Sequence, residues 1–174
     1  MIIRRGGDRT NPVYVKAKGA IDKRLEQILQ VYGYDDIILI DAKGSIRYSL
    51  KHPEIYIGRR LHDPEGSAFE KGKNEVYLSN IFRDPYETGG YLMLMTAPVC
   101  NFKGSFIGVI AFQMDMKPIY DFIGDLTGMG ETGETLIVGR SDKEGTVFLN
   151  PLRNDPDAVL NKTVSFGEGI AIPS

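Results

Sequence analysis

Two arginines and a histidine stand close together in the stretch IGRRLHDPEG, as Arg59, Arg60 and His62. A guanidinium there suits a carboxylate-bearing ligand, because its N–H groups form a planar fork that matches two carboxylate oxygens. Asp84 precedes Pro85, a place where a carboxylate either meets a ligand or bonds nearby backbone amides in a turn. Catalytic groupings are missing. The segment GMGETGETL lacks the Gly-Lys-Ser/Thr end of a phosphate loop, and a strand rather than a helix follows it. No GxSxG elbow, HExxH or CxxC occurs. Glu131 and Glu134 fall in a turn-rich run where a desolvated acid–base pair would not form. His52 and His62 are too far apart, with too few acidic neighbours, for a metal set. The expectation is a binding module with no enzyme activity, no cofactor and no metal.

Composition agrees. The chain has 174 residues, 42% of them hydrophobic, and its nine Tyr and eight Phe supply core bulk without Trp. The net charge of −2, with both signs interspersed, leaves no basic footprint for nucleic acid and no polybasic membrane patch. Cys100 is the only cysteine, so no internal disulfide forms. Apolar runs such as IILI and FIGVIAF are far shorter than the ~20 residues of a membrane helix. MIIRRGGDRTNP is not a secretory signal, since no apolar region follows its arginines.

The elements that must position these groups follow from periodicity. Residues 19–32 read as a helix, with Ile21, Leu25, Ile28, Leu29 and Tyr32 on one stripe and Gly33 to stop it. A hairpin follows in DDIILIDAKGSIRYSL, turning at Asp41-Ala42-Lys43-Gly44. Residues 51–74, broken by Pro53, Gly58, Pro64 and Gly66, form a crossing segment with one short helix at 67–72. Three strands come next, EVYLSNIF, GYLMLMTAPV and SFIGVIAFQMDM, joined by RDPYETG and CNFKG and therefore antiparallel. Residues 117–126 read as a helix with Ile119, Phe122, Ile123 and Leu126 on one side. The fold class is α+β, a five-stranded antiparallel sheet with a long N-terminal helix and a crossing segment over one face. The tail carries strands at 135–139 and 146–149, a turn at 142–145 and a short helix at 156–160, too little to bury its own core. The organisation is an N-terminal arm and helix (1–33), a sensor-sized domain (34–126) and the truncated start of a second module (127–174).

Strand register then nominates a lining. If RDPYETG sets Phe82 opposite Tyr91, Asn80 faces Met93 and Leu78 faces Met95. If CNFKG sets Val99 opposite Ser105, Met95 meets Val109, Met93 meets Ala111 and Tyr91 meets Gln113. Side chains alternate with period two, so Asn80, Phe82, Tyr91, Met93, Met95, Ala111 and Gln113 share one face. Ile81, Leu92, Leu94, Ile110 and Phe112 share the other, against the helix stripe. The first face mixes polar tips, adaptable methionines and a small residue, as a small-molecule site requires. Alternating Met93 and Met95 fit a plain half-buried core better than a ligand lining, and Tyr91 and Gln113 could simply pair across the strands.

The hairpin IDAKGSIRY, the long crossing, and then LSNIFRDPYETGG, TAPV and GSFIGVIAFQMDM resemble the Cache (PDC) sensor family, over residues 34 to 126. These are PAS-like domains held outside the cytoplasm in chemoreceptors, histidine kinases and nucleotide cyclases. GETGETLIVGRSDKEGTVFLNP looks like the opening of the membrane-proximal module of two-module versions. The resemblance implies a small molecule bound between sheet and crossing segment, pairing of two copies through the N-terminal helix, and an extracytoplasmic location in a plasma-membrane protein. In amino-acid-binding members an Arg-x-Trp-Tyr motif, a Tyr-x-Asp and a last-strand Asp make the site. Here the Tyr-x-Asp place reads Phe82-Arg83-Asp84, the last-strand place reads Gln113, and Arg59, Arg60 and His62 stand where the arginine motif is missing. An amide in place of the last-strand carboxylate removes the charge that would pair an α-ammonium group. The expected ligand-binding set is Arg60, His62, Asn80, Phe82, Asp84, Tyr91, Met93 and Gln113, for a small molecule such as a carboxylate. The other reading is a cytosolic PAS- or GAF-like regulatory domain that mediates protein contacts.

Overall fold

A helix, α1 (Pro12–Tyr32), leads into the sheet in the computed structural model, which describes residues 12–86, 90–141 and 145–165. The arm at 1–11, the end of the RDPYETG connector and most of the expected 142–145 turn lie outside the described residues. The helix begins earlier than the expected residue 19. Pro12 opens it at a position where a missing N–H costs nothing. Gly19 costs only about 1 kcal/mol against alanine, too little to break it. Gly33 ends it at φ +70°. There the Gly33 and Tyr34 N–H groups both reach the Leu29 carbonyl, at 2.9 and 3.2 Å.

The helix does not turn its whole apolar stripe inward. Leu25 and Leu29 are half-buried, whereas Ile21, Ile28 and Tyr32 remain 49, 37 and 69% exposed. A polar clamp fixes the helix instead. The Tyr48 hydroxyl donates to Asp22 at 2.6 Å, and Lys18 donates to the same carboxylate. Burial, and then the bond to Asp22, pushes the Tyr48 hydroxyl above its usual range, so it stays a donor.

The sheet is antiparallel throughout and ordered β2-β1-β6-β5-β3, with β4 also on β5. Its strands are β1 (Asp36–Asp41), β2 (Ile46–Ser49), β3 (Tyr77–Leu78), β4 (Phe82–Arg83), β5 (Tyr91–Cys100) and β6 (Phe106–Asp115). Among the described residues it counts six strands rather than five because EVYLSNIF breaks in the middle. Ser79 causes the break: its N–H donates to the Leu94 carbonyl, while its Oγ accepts the Leu94 N–H. The β1–β2 hairpin turns where expected. The Asp41 carboxylate accepts from the Lys43 and Ser45 amides and from Arg47 Nε, and Gly44 sits at φ +85°.

The crossing segment covers one face. It contains α2 (Pro53–Tyr56), which the sequence reading did not expect, and α3 (Ser67–Gly72), which falls on the expected residues. Asp63 starts α3 by accepting from the Ser67 and Ala68 amides. The helix lies so close to β5 that a Cβ on Gly72 would stand 2.5 Å from Thr96 Oγ1. Tyr56 and Ala68 from this segment join Ile38, Ile40, Ile46, Phe82, Leu92, Leu94, Val109 and Ala111 in the buried core.

Contacts divide the chain between Asp115 and Met116. The C-terminal unit holds α4 (Lys117–Ile123) and an antiparallel sheet of β7 (Val138–Ser141), β8 (Gly145–Phe148) and β9 (Thr163–Ser165), with a 3-10 turn at Pro156–Ala158. Asn150, 2% exposed, organises it by accepting from the Ile137 amide and donating to the Thr135 and Pro151 carbonyls. On α4, Ile119 and Phe122 face outward rather than forming an inward stripe.

Candidate ligand-binding site

A cleft opens between the sheet and the crossing segment. Its lining includes Tyr56, Leu61 and His62 from the crossing segment, Phe82, Asp84, Pro85 and Tyr86 around the end of β4, and Leu92, Leu94 and Gln113 from β5 and β6. Aromatic rings close most of it. Tyr56 meets Tyr86 edge-on at 5.6 Å between centroids, and His62 meets Phe82 and Tyr86 at 6.2 and 6.3 Å. Arg59 lies over the Tyr86 ring, with Cζ 4.6 Å from its centroid. The free volume is about 20 Å³, room for a single water.

Two polar groups line the cleft, Asp84 and Gln113, and a third, Asp35, stands behind Gln113. Asp84 is 6% exposed, and its Oδ1 accepts the Tyr86 N–H at 2.9 Å. Gln113 is 3% exposed, and its Nε2 donates to Asp35 at 2.7 Å. Asp35 stands at the entry to β1, and its own N–H donates to the Gln113 carbonyl. Burial is the leading influence on Asp35 and raises its pKa. The Gln113 bond and His52 oppose that rise, while Asp36 and Asp115 add to it.

Of the expected set, the structure gathers His62, Phe82, Asp84 and Gln113 into the cleft. The other four lie elsewhere. Arg60 is exposed, donates to the Lys43 carbonyl and bridges Ser45 on the edge of β2, so Arg59 is the arginine turned toward the cleft rings. Asn80 is exposed and donates to Glu65. Tyr91 and Met93 are half-buried on the opposite face of the sheet.

The correction for Tyr91 and Met93 is one of register. The CNFKG loop closes with Asn101 Oδ1 accepting from the Lys103 and Ser105 amides, so Cys100 pairs with Phe106. Relative to Val99 opposite Ser105, that change alone moves partners by two places and preserves the faces. A bulge then spends Ile107 without a partner, so Val99 meets Gly108 and Leu94 meets Gln113. The odd residue exchanges the faces. A smaller slip does the same on the other side, where Leu78 faces Met95 as expected but Phe82 faces Leu92 rather than Tyr91. Leu92 and Leu94 therefore line the cleft, and Tyr91, Met93 and Met95 do not.

Sequence reasoning missed Tyr56, Leu61 and Tyr86. Pro53 ahead of Glu-Ile-Tyr was the available sign of the short helix that places Tyr56.

Neither a family model nor a curated protein matches the chain. Solved structures do. The ligand-binding domain of the amino acid chemoreceptor PctC of Pseudomonas aeruginosa PAO1, in complex with GABA, is 20% identical with a TM-score of 0.56, over 89% of this chain and 62% of that one. The ligand-binding domain of Mlp24 with asparagine is 13% identical with a TM-score of 0.53, over 92% and 75%. The sensor domain of the V. cholerae histidine kinase DctB is 23% identical with a TM-score of 0.45, over 64% and 41%. The chain thus spans less than two thirds of the PctC and DctB structures. The PAS-like, Cache-type fold expected from the sequence is the fold found. No described helix is long and apolar enough to cross a membrane.

Proposed function

We propose that this chain is the extracytoplasmic, small-molecule-sensing region of a membrane-bound signalling protein, a histidine kinase, nucleotide cyclase or chemoreceptor. Residues 34–126 would form the sensor module and 127–174 the start of a membrane-proximal one. The observation that carries the reading is the meeting of His62, Phe82, Asp84 and Gln113, from separate stretches of chain, in one cleft. The same fold holds GABA in PctC and asparagine in Mlp24. Both of those ligands join a nitrogen donor to a carboxylate. The cleft offers acceptors in Asp84 and Gln113, and Arg59 stands over Tyr86 to meet an acid. With about 20 Å³ free, the lining must part before a guest enters. Binding therefore shifts the population toward a parted form, and α1 relays that shift.

A thermal-shift screen of GABA, asparagine, small carboxylates, amines and purines tests the reading. A ligand at a hundred times its Kd adds about 2.7 kcal/mol. The expected hit disappears in Asp84→Ala and Gln113→Ala and survives in Tyr91→Ala, on the far face. A hit indifferent to both cleft substitutions moves the site elsewhere and sinks the reading.

A second copy of the chain is the partner proposed for α1. Ile21, Ile28, Val31 and Tyr32 project from it as exposed apolar groups. Sedimentation is expected to show a dimer that Val31→Asp dissociates. A wild-type chain that stays monomeric at its solubility limit contradicts the pairing.

A further inference from the structure

Gln113 is a primary amide on the wall of a nearly sealed cleft, and which end it shows decides what the wall can bind. A carboxylate accepts but does not donate, so the 2.7 Å contact with Asp35 must be made by Nε2. Asp35 does not line the cleft, whereas Gln113 does. The nitrogen is therefore drawn out of the lining, leaving Oε1 as the end of the amide presented to it. Among the described residues no group donates to Oε1, although the side chain is 97% buried. The backbone holds the pair in place: Asp35 N–H bonds the Gln113 carbonyl at 2.8 Å, and Asp36 stands opposite Gln113 in the β1–β6 register. Asp84 supplies a second acceptor to the same lining. A guest that brings an N–H or O–H group finds partners at both. A guest that brings only a carboxylate finds two oxygens facing its own, an arrangement that leaves buried acceptors unmet.

We propose that Asp35, from outside the cleft, is the positioning residue that locks the Gln113 amide with Oε1 inward and so makes this end of the cleft selective for hydrogen-bond donors. The selectivity rests on the cleft being the ligand site, as proposed above. The locked amide does not.

Two measurements on the full chain separate these claims. The first is the nuclear Overhauser effect from the Gln113 Nε2 protons to the Asp35 β protons by NMR. It is expected in the wild type and lost in Asp35→Leu, whose Gln113 side chain then samples both orientations. Its absence from the wild type overturns the inference, whatever becomes of any variant. The second compares n-butylammonium with butyrate, equal in length and carrying only donors or only acceptors, by chemical-shift titration. The wild type is expected to favour the amine at least about tenfold. Gln113→Leu keeps the Asp35 charge and is expected to lose that preference. Preference for butyrate, or an amine preference that persists in Gln113→Leu, overturns donor selection by the amide. Binding of neither probe beside an intact Overhauser contact leaves Asp35 as positioner and instead removes the cleft as the ligand site.

Discussion

Replacing Asp36 by alanine tests whether one buried carboxylate fastens the crossing segment to the sheet. Asp36 has no exposed surface. Its Oδ1 accepts from the amides of Ile37, Leu50 and Lys51, at 2.7, 3.0 and 2.9 Å. Its Oδ2 accepts from Ser49 Oγ at 2.6 Å. Alanine removes all four bonds, but the losses are unequal. The Leu50 amide keeps a bond to the Ile37 carbonyl at 3.1 Å, whereas the Lys51 amide and the Ser49 hydroxyl lose the acceptor they use. A hydrogen bond to a charged group contributes about 1.5–3 kcal/mol, so these two together come to roughly 3–6 kcal/mol. Release of a carboxylate from a fully buried place returns part of that. The expected net loss is about 2–4 kcal/mol, read by urea denaturation with an unchanged slope. Ser49→Ala, which removes the bond to Asp36 and the one Oγ accepts from the His52 amide at 3.0 Å, is expected to cost about 2–3 kcal/mol. A loss below about 0.5 kcal/mol for Asp36→Ala would refute the reasoning, because an ordinary surface substitution does as much.

Gly108→Ala places a Cβ 2.1 Å from the Ile40 carbonyl oxygen. Backbone on the facing strand cannot yield, so a loss of about 3 kcal/mol or more is expected in thermal melts, and a wild-type melting point would contradict it. Asp41 provides the pH prediction. Burial raises its pKa, but the Ser45, Arg47 and Lys43 hydrogen bonds outweigh it and hold the carboxyl below its usual range. A depressed folded pKa means stability that is complete at neutral pH and lost as the pH falls below about 4. Asp41→Asn is therefore expected to flatten the acid limb of the stability curve, and an unchanged acid limb counts against this account. Leu94→Ala, at a side chain 1% exposed, is expected to cost about 2–5 kcal/mol by chemical denaturation, and Phe102→Ala, at the exposed hairpin tip, close to nothing.

What could be read from the sequence was what local chemistry dictates. The hairpin turn announced itself through Asp41 and Gly44, whose carboxylate and positive φ the turn requires. The α3 residues and the extent of the crossing segment were equally legible, because Gly and Pro punctuate them. Asp84 was reached through a motif position of a resemblance, and Phe82 and Gln113 through such positions and through assumed pairings together; all three line the cleft. Tyr91, Met93 and Asn80 were reached through assumed pairings alone, and none does. Pairing is a long-range property, and side-chain hydrogen bonding at Ser79 and an unpartnered Ile107 each alter it without changing residue type. Gly108 inside an apolar strand was the available hint. The α1 stripe misled for a related reason: a Tyr48–Asp22–Lys18 clamp chooses the inward face, and periodicity does not register polar docking. β9 escaped notice because Thr-Val-Ser is too short to show a period.

The unpartnered Ile107 also divides the β5–β6 hairpin into two parts with separate fates. Removing that residue would join Phe106 directly to Gly108, making Cys100 opposite Phe106 and Val99 opposite Gly108 consecutive rungs of one unbroken ladder. Every pair from Val99 back to Leu92 would stay as it is, and only the tip around CNFKG would turn over. The bulge therefore acts as a joint: it aims the outer loop without touching the wall that Leu92 and Leu94 build.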